Sequence, residues 1–273
     1  MSHRLSGAER EQMARDGYVI REGVFSREEC AQITDACEAL VDELVAHRAA
    51  ERKRYHVGSY TFDPDKLTGC TIKWEGDSDV VHGLEPFAHL SPSLNEWALD
   101  ARFTDPSIDF LGEEQVNLFT EKLNLKRPIV GGVNPWHQDY PYWEGFADEP
   151  SEKVTAMLFL DDSSLENGTL QVLPGSHIRG KARTRTDRDV FGNLELDPRE
   201  ADGKRPTPLE VPAGSVVWFG PFLIHKSEQN TSEKQRRSLL YTYQPARCRT
   251  NIELENLARE ERRKAKEAAA ASS

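Results

Sequence analysis

From Gln115 onward the chain breaks into short apolar stretches divided by turn signals, with no helix-length pattern between them, and this constrains the fold more than any other feature. The stretches are Val116–Leu125, Val154–Leu160, Leu170–Leu173, Leu209–Val211, Ser215–Phe219, Leu223–Lys226 and Ser238–Tyr243. Between them lie Glu166-Asn167-Gly168, Pro174-Gly175-Ser176 and Pro212-Ala213-Gly214, residue types suited to tight turns. Many short strands without intervening helices predict a mainly β protein with flanking helices, a sandwich or barrel, with the jelly roll first among these.

The part before Gln115 reads differently. Ser6 to Asp16 predicts a short amphipathic helix, and Gly17 to Val24 a strand. Ser26 followed by Glu29 is a capping box, with Phe25 placed as its staple. The helix it opens carries Cys30, Ile33, Ala36, Cys37, Leu40, Val41 and Leu44 at helical spacing, a packing face. Residues 50 to 110 are mixed, with loop signals at Asp63-Pro64, Glu75-Gly76-Asp77, Ser91-Pro92 and Asp105-Pro106. The expected organisation is a single domain over 1–273: a helical and mixed part (1–110), a jelly-roll core (111–247) and a polar C-terminal helix or tail (248–273). Within the core, residues 178–208 are polar and long for a connection, which marks either a disordered loop or a lid.

A chain of 273 residues can bury a full core, and 30% charged with 37% hydrophobic residues suits a soluble globular protein. A formal net charge of -11 argues against nucleic acid as the main partner, because phosphate binding needs a basic footprint. No apolar run reaches the roughly 18 residues of a membrane span, and the first residues lack the apolar region of a signal peptide. Cys30, Cys37, Cys70 and Cys248 form no C-x-x-C pair, so reduced, packed thiols and a cytoplasmic location are expected.

Chemistry concentrates in Pro135-Trp136-His137-Gln138-Asp139-Tyr140. In an extended segment residues two apart point the same way, so His137 and Asp139 can reach one metal ion. By itself His-x-Asp is a weak signal that a surface turn would also give. A third ligand is available in His225, at the end of the short apolar segment Pro221-Phe222-Leu223-Ile224. Two histidines and one carboxylate leave open coordination positions and suit an iron(II) oxygenase, in which a keto acid and then O2 bind the metal. Arg236 follows eleven residues after His225. A planar guanidinium that stays charged suits the far carboxylate of a keto acid, and the turn 228–235 is expected to return Arg236 to a strand paired with that of His225. The bland reading of Arg236 is a surface residue of a polar hairpin.

Taken together, these residues resemble the phytanoyl-CoA dioxygenase family of iron and 2-oxoglutarate oxygenases. The resemblance runs from about Glu121 to Pro245. It rests on His137-Gln138-Asp139, on Asn167-Gly168-Thr169-Leu170-Gln171-Val172-Leu173-Pro174-Gly175-Ser176-His177, on Pro212-Ala213-Gly214-Ser215, on His225 and on Arg236. It implies a cupin-like double-stranded β-helix, with His137, Asp139 and His225 as iron ligands and Arg236 as the 2-oxoglutarate anchor. It also implies Ser227 as a helper at the same carboxylate, and places Asn124 like a co-substrate contact; a solvated strand face is the alternative for Asn124. His177 reads as part of a structural turn. Related halogenases replace the metal-binding carboxylate with a small residue, so Asp139 disfavours halogenation.

The implied cofactors are Fe(II), 2-oxoglutarate as co-substrate and O2, and the implied reaction is hydroxylation of an unactivated C–H bond in a small organic molecule. Trp136, Tyr140, Tyr142 and Trp143 surround the metal motif, and Tyr140 and Trp143 are the expected substrate contacts, with a core role as the alternative. Arg179, Lys181, Arg183, Arg185 and Arg188 form a local basic run that suits either an anionic substrate or a solvated loop. An ectoine-hydroxylase signature after Asp139 is absent. Two rivals stay open: epimerisation, desaturation or ring closure at the same iron, and a non-redox cupin-like metal or ligand-binding protein, for which Arg236 would have no reason to face the metal. Nothing in the sequence fixes an oligomeric state.

Overall fold

The computed structural model describes residues 2–47, 54–57, 60–185 and 194–250, with 253, 254, 260 and 264 beyond them. Most of the expected C-terminal helix, and residues 186–193 of the 178–208 segment, lie outside the described residues.

Local sequence explains where the N-terminal helices begin. Ser6 and Ser26 each accept a backbone N–H three residues on while Glu9 and Glu29 reach back, so α1 (Gly7–Asp16) and α2 (Arg27–Ala46) both open with a full capping box. Helix α1 is less amphipathic than expected: none of its residues is buried, and only Met13 packs against the core. Helix α2 buries Cys30, Ile33, Thr34, Cys37, Leu40, Val41 and Leu44, the predicted stripe apart from Ala36, which is partly buried. Each large aliphatic side chain buried in this way contributes about 1.5–3 kcal/mol. Strand β1 (Tyr18–Arg21) lies between the two helices.

Residues 50–110 are not featureless. They supply β2 (Tyr55–Val57), β3 (Tyr60–Pro64), β4 (Thr71–Glu75) and β5 (Val81–Glu85), then α3 (Pro92–Ala98) and α4 (Ala101–Leu111). Pro92 opens α3 in the first turn, where a missing N–H costs nothing, but Pro106 lies inside α4. Its turn signal is overridden because Phe103, Pro106 and Ser107 are buried against the core. The remaining elements are β6 (Val116–Lys126), β7 (Asn134–His137), the single turn α5 (Tyr140–Trp143), β8 (Val154–Phe159), β9 (Leu170–Val172), β10 (Thr207–Pro208), β11 (Val216–Phe219), β12 (His225–Ser227) and β13 (Arg236–Pro245).

Two antiparallel sheets result. The larger runs β1-β11-β8-β13-β6-β5-β4-β3-β2 and the smaller β10-β9-β12-β7. Strand β8 shows how they stack. Val154, Ala156 and Leu158 face the helices, in the cluster that holds Ile33, Cys37, Phe103 and Tyr241. Met157 and Phe159 face inward, with Leu170, Val172, Phe219 and Leu223 between the sheets. This is a jelly roll. The alternation of Leu209 and Val211 places both in the inner core, but the ladder to β9 is made by Thr207 and Pro208, and Val211 forms only an isolated bridge with Ser163.

Candidate active site

The smaller sheet builds the metal-ligand cluster. His137 ends β7 and His225 begins β12, and the two are direct register partners. Their rings lie 4.1 Å apart. His137 Nδ1 bonds Pro135 O at 2.7 Å and His225 Nδ1 bonds Leu223 O at 3.0 Å. A carbonyl can only accept, so each Nδ1 carries the proton and each Nε2 presents a lone pair. Both Nε2 atoms face Asp139 Oδ1, at 3.9 Å from His137 and 3.8 Å from His225. The ligand atoms of the three residues all lie within 4.8 Å of one another. Desolvation, reinforced by His225, pushes the His137 pKa well below its ordinary value, which keeps the lone pair free at neutral pH. The donor set fits a divalent transition ion that keeps open positions.

Gln138, between the two motif ligands, turns the other way and is fully buried. Its Nε2 donates to Gly180 O (2.9 Å) and Phe222 O (2.6 Å), and its Oε1 accepts from Ala182 N (2.8 Å). It therefore ties the motif both to the loop preceding His225 and to the start of the 178–208 segment. The far stem of that segment is held as well, by Leu196 N donating to Trp136 O (2.9 Å). Two members of the basic run are engaged with carboxylates, Lys181 with Glu144 and Arg185 with Glu195. His177 is structural: its ring packs where a Cβ on Gly17 would fall, at 2.4 Å, and Gly17 has φ +86. Beside it Ser176 Oγ accepts from Ile224 N (2.9 Å), steadying the approach to His225.

Arg236 departs from the expected placement. The turn 228–235 does not return the chain beside β12; it carries the chain across to the larger sheet, where Arg236 pairs with Lys126 on β6. Asn230 fixes the crossing by donating to Lys126 O and Lys234 O. The Arg236 side chain then reaches back between the sheets, where Nη2 donates to Gly168 O (2.9 Å) and Nη1 to Ser238 Oγ (3.3 Å). Gly168 lies two residues before Leu170, the register partner of Ser227. Ser227 is buried, and its hydroxyl accepts from Asn134 Nδ2 (3.3 Å). Arg236 Nε is buried and has no partner among the described residues. Desolvation lowers its pKa to about 10, so it stays charged. Asn124 stands next along the same face, between Gly83 and Ser238.

The surroundings are basic. Burial and Arg236 push Lys126 down to about 6, while its Nζ donates to Gly132 O and to Glu228 O (2.5 Å). Burial takes Lys73 to about 7, its ammonium 3.7 Å from the centre of the Tyr60 ring. Such a pocket suits a dianionic keto acid.

Of the aromatic residues, Tyr142 stands edge-on to His137 at 6.0 Å. Tyr140 stacks on Phe222, and Trp143 is buried against Phe119. Helical spacing carried the signal for Tyr142, three residues after Asp139, whose carbonyl accepts the Tyr142 N–H at 3.0 Å.

The family profile of phytanoyl-CoA dioxygenase matches residues 13–238, and the chain belongs to that family. It is thus an enzyme of the non-haem iron, 2-oxoglutarate-dependent oxygenase class. L-proline trans-4-hydroxylase from Streptomyces griseoviridis is 37% identical over 193 residues, covering 62% of this chain and 69% of that enzyme. A 2-aminoethylphosphonate dioxygenase from an uncultured bacterium is 35% identical over 137 residues, 50% of this chain and about half (48%) of that protein. Among solved structures, EctD from S. alaskensis with 2-oxoglutarate and 5-hydroxyectoine superposes with a TM-score of 0.68 at 24% identity, over 89% of this chain and 77% of that one. Among the described residues no helix is long and apolar enough to cross a membrane.

Proposed function

We propose that this enzyme hydroxylates an unactivated C–H bond of a small organic molecule, with His137, Asp139 and His225 holding Fe(II) and Arg236, helped by Ser227, holding 2-oxoglutarate. When bound, iron with 2-oxoglutarate and O2 supplies the oxidising power: one oxygen atom enters the substrate as hydroxyl, the other enters succinate, and CO2 leaves. The chain supplies the rest. The two carbonyl-held imidazoles keep the Nε2 lone pairs directed at one point, so no reorganisation is needed when the metal arrives. Arg236 Nε offers the far carboxylate a donor in a dry pocket, where a charge-assisted bond is strong. Burial leaves Lys126 and Lys73 easily deprotonated, and each would take up a proton as the dianion enters and so offset its charge. The walls of Tyr142 and the 178–208 stems exclude water from the reacting carbon.

The observation that carries this reading is the convergence of three metal-ligand atoms across the barrel from a buried guanidinium with an unpaired donor. Relatives named for the hydroxylation of proline and the oxygenation of 2-aminoethylphosphonate support a small-molecule substrate. The test is anaerobic titration of the metal-free protein with Fe(II) and then 2-oxoglutarate, watching for the visible charge-transfer band of a chelated keto acid. The wild type is expected to develop the band and His225→Ala to lose it. A wild type that binds Fe(II) and never shows the band overturns the oxygenase reading in favour of a non-redox metal protein.

A further inference from the structure

The inner face of β6 has one cation that neither the metal nor the keto acid uses. Lys122, Asn124 and Lys126 alternate with Leu123 and Leu125, which point into the core. Lys126 is at the deep end, beside Arg236. Lys122 lies four residues away, roughly 13 Å along the strand. Its charge acts on Asp139 and on His137, at the metal cluster, and Arg236 is not among the groups that act on it most strongly.

Two properties place Lys122 in a cleft wall. Surrounding protein desolvates its ammonium, yet 44% of the side chain stays open to solvent. Among the groups it faces are Glu85, Asp139 and Tyr142, two of which belong to the metal cluster and its wall. Its partner is Glu85, which is 40% exposed, with Lys122 Nζ to Glu85 Oε2 at 2.9 Å. The pairing of Gly83 with Asn124 sets Glu85 opposite Lys122 at the open end of the ladder. The floor beside them is glycine by necessity, because a Cβ on Gly83 would lie 2.4 Å from Leu123 O. Opposite charges thus stand side by side over a floor without side chain, at the mouth of the metal site. An exposed ion pair adds little to stability, so a ligand that supplies both charges can open it at small cost.

We propose that the Lys122–Glu85 pair is the substrate-recognition site and that it takes a small zwitterion, its carboxylate or phosphonate on Lys122 and its ammonium on Glu85. This rests on the oxygenase reading above. Lys73, paired with Gly83 across the β4–β5 ladder, adds positive charge in its protonated form, which favours an anionic group on the Lys122 side. Tyr142, pushed up to about 12 by desolvation, stays a neutral phenol able to donate to the same group.

The test is calorimetric titration of the anaerobic Fe(II)–2-oxoglutarate enzyme with a panel of α-, β- and cyclic amino acids and 2-aminoethylphosphonate, each beside its deaminated and decarboxylated or dephosphonylated analogue. At least one zwitterion is expected to bind more than tenfold tighter than both singly charged analogues. Lys122→Gln and Glu85→Gln should each weaken it more than tenfold, Lys122→Arg should restore most of the loss, and affinity for 2-oxoglutarate should hold in all three, showing that they are folded. If 2-oxoglutarate binds and no zwitterion outbinds its analogues, or if Lys122→Gln weakens 2-oxoglutarate instead, the recognition site is overturned and the oxygenase reading survives. If the wild type binds no 2-oxoglutarate, both fall.

Discussion

The two halves of the active site are built on opposite principles. In the smaller sheet the metal ligands are set by the main chain: Pro135 O and Leu223 O hold the imidazoles, and backbone groups of Gly180, Ala182 and Phe222 hold the glutamine between the ligands. Both imidazole Nδ1 atoms and both ends of the Gln138 amide are bonded there. In the larger sheet the proposed keto-acid pocket is lined by basic side chains, and among the described residues Arg236 Nε has no acceptor. The metal half has its side chains bonded in place, whereas the proposed anion half buries a guanidinium, Arg236, whose Nε has no partner among the described residues. The difference predicts that metal affinity responds to damage in the framework and keto-acid affinity to single side chains.

The strongest way to break this contrast is Arg236→Gln. Losing charge-assisted bonds in a dry pocket costs about 2–3 kcal/mol, hence roughly a 30- to 150-fold loss of 2-oxoglutarate affinity, with Fe(II) affinity unchanged. Isothermal titration of each ligand separates the two, and parallel losses would refute the division. Gln138→Ala attacks the other half. It leaves Gly180 O, Phe222 O and Ala182 N unpaired at a fully buried position. A loss of about 2–3 kcal/mol is expected, a fall in Tm of about 5–10 °C, with metal binding about tenfold weaker. An unchanged Tm would show that the glutamine only fills space. The smallest effect lies in neither half. Hydrogen bonding to Arg21 holds the Glu9 carboxyl down at about 2. A depressed carboxyl stabilises the fold above its ordinary value of 4.5 and loses that contribution as pH falls from there toward 2. At 23% side-chain exposure screening leaves about 1 kcal/mol, visible as a difference in Tm between wild type and Glu9→Gln at pH 7 that vanishes near pH 2.

The metal half was the more legible in sequence. His137 and Asp139 are of ligand type, two apart on an extended segment, and a later histidine completed them. The chemistry of Arg236 marked it as a candidate anchor, but its sheet was not legible, because a polar turn does not reveal whether it closes a hairpin or crosses a barrel. The strands in 50–110 were hidden for a related reason. On β4, Ile72 and Trp74 are buried while Lys73 and Glu75 line the interior, so the inward face is charged and the usual apolar alternation looks like a solvated segment. Lys122 and Glu85 were invisible as a pair, since 37 positions separate them and only the β5–β6 register brings them together. Trp143 and Tyr140 drew attention by size, while the one-turn helix aimed Tyr142 at His137.

The strand carrying His137 is also the border of its sheet among the described residues, with β12 as its neighbour. An open border is where unrelated chains add on and aggregation starts. Here Leu196 N takes up the Trp136 carbonyl, so the stem that carries it also guards the molecule against its neighbours. Shortening that segment to widen the cleft for bulkier substrates therefore risks colloidal failure before it alters turnover, and engineered variants should keep Leu196 and its stem even where the tip is redesigned.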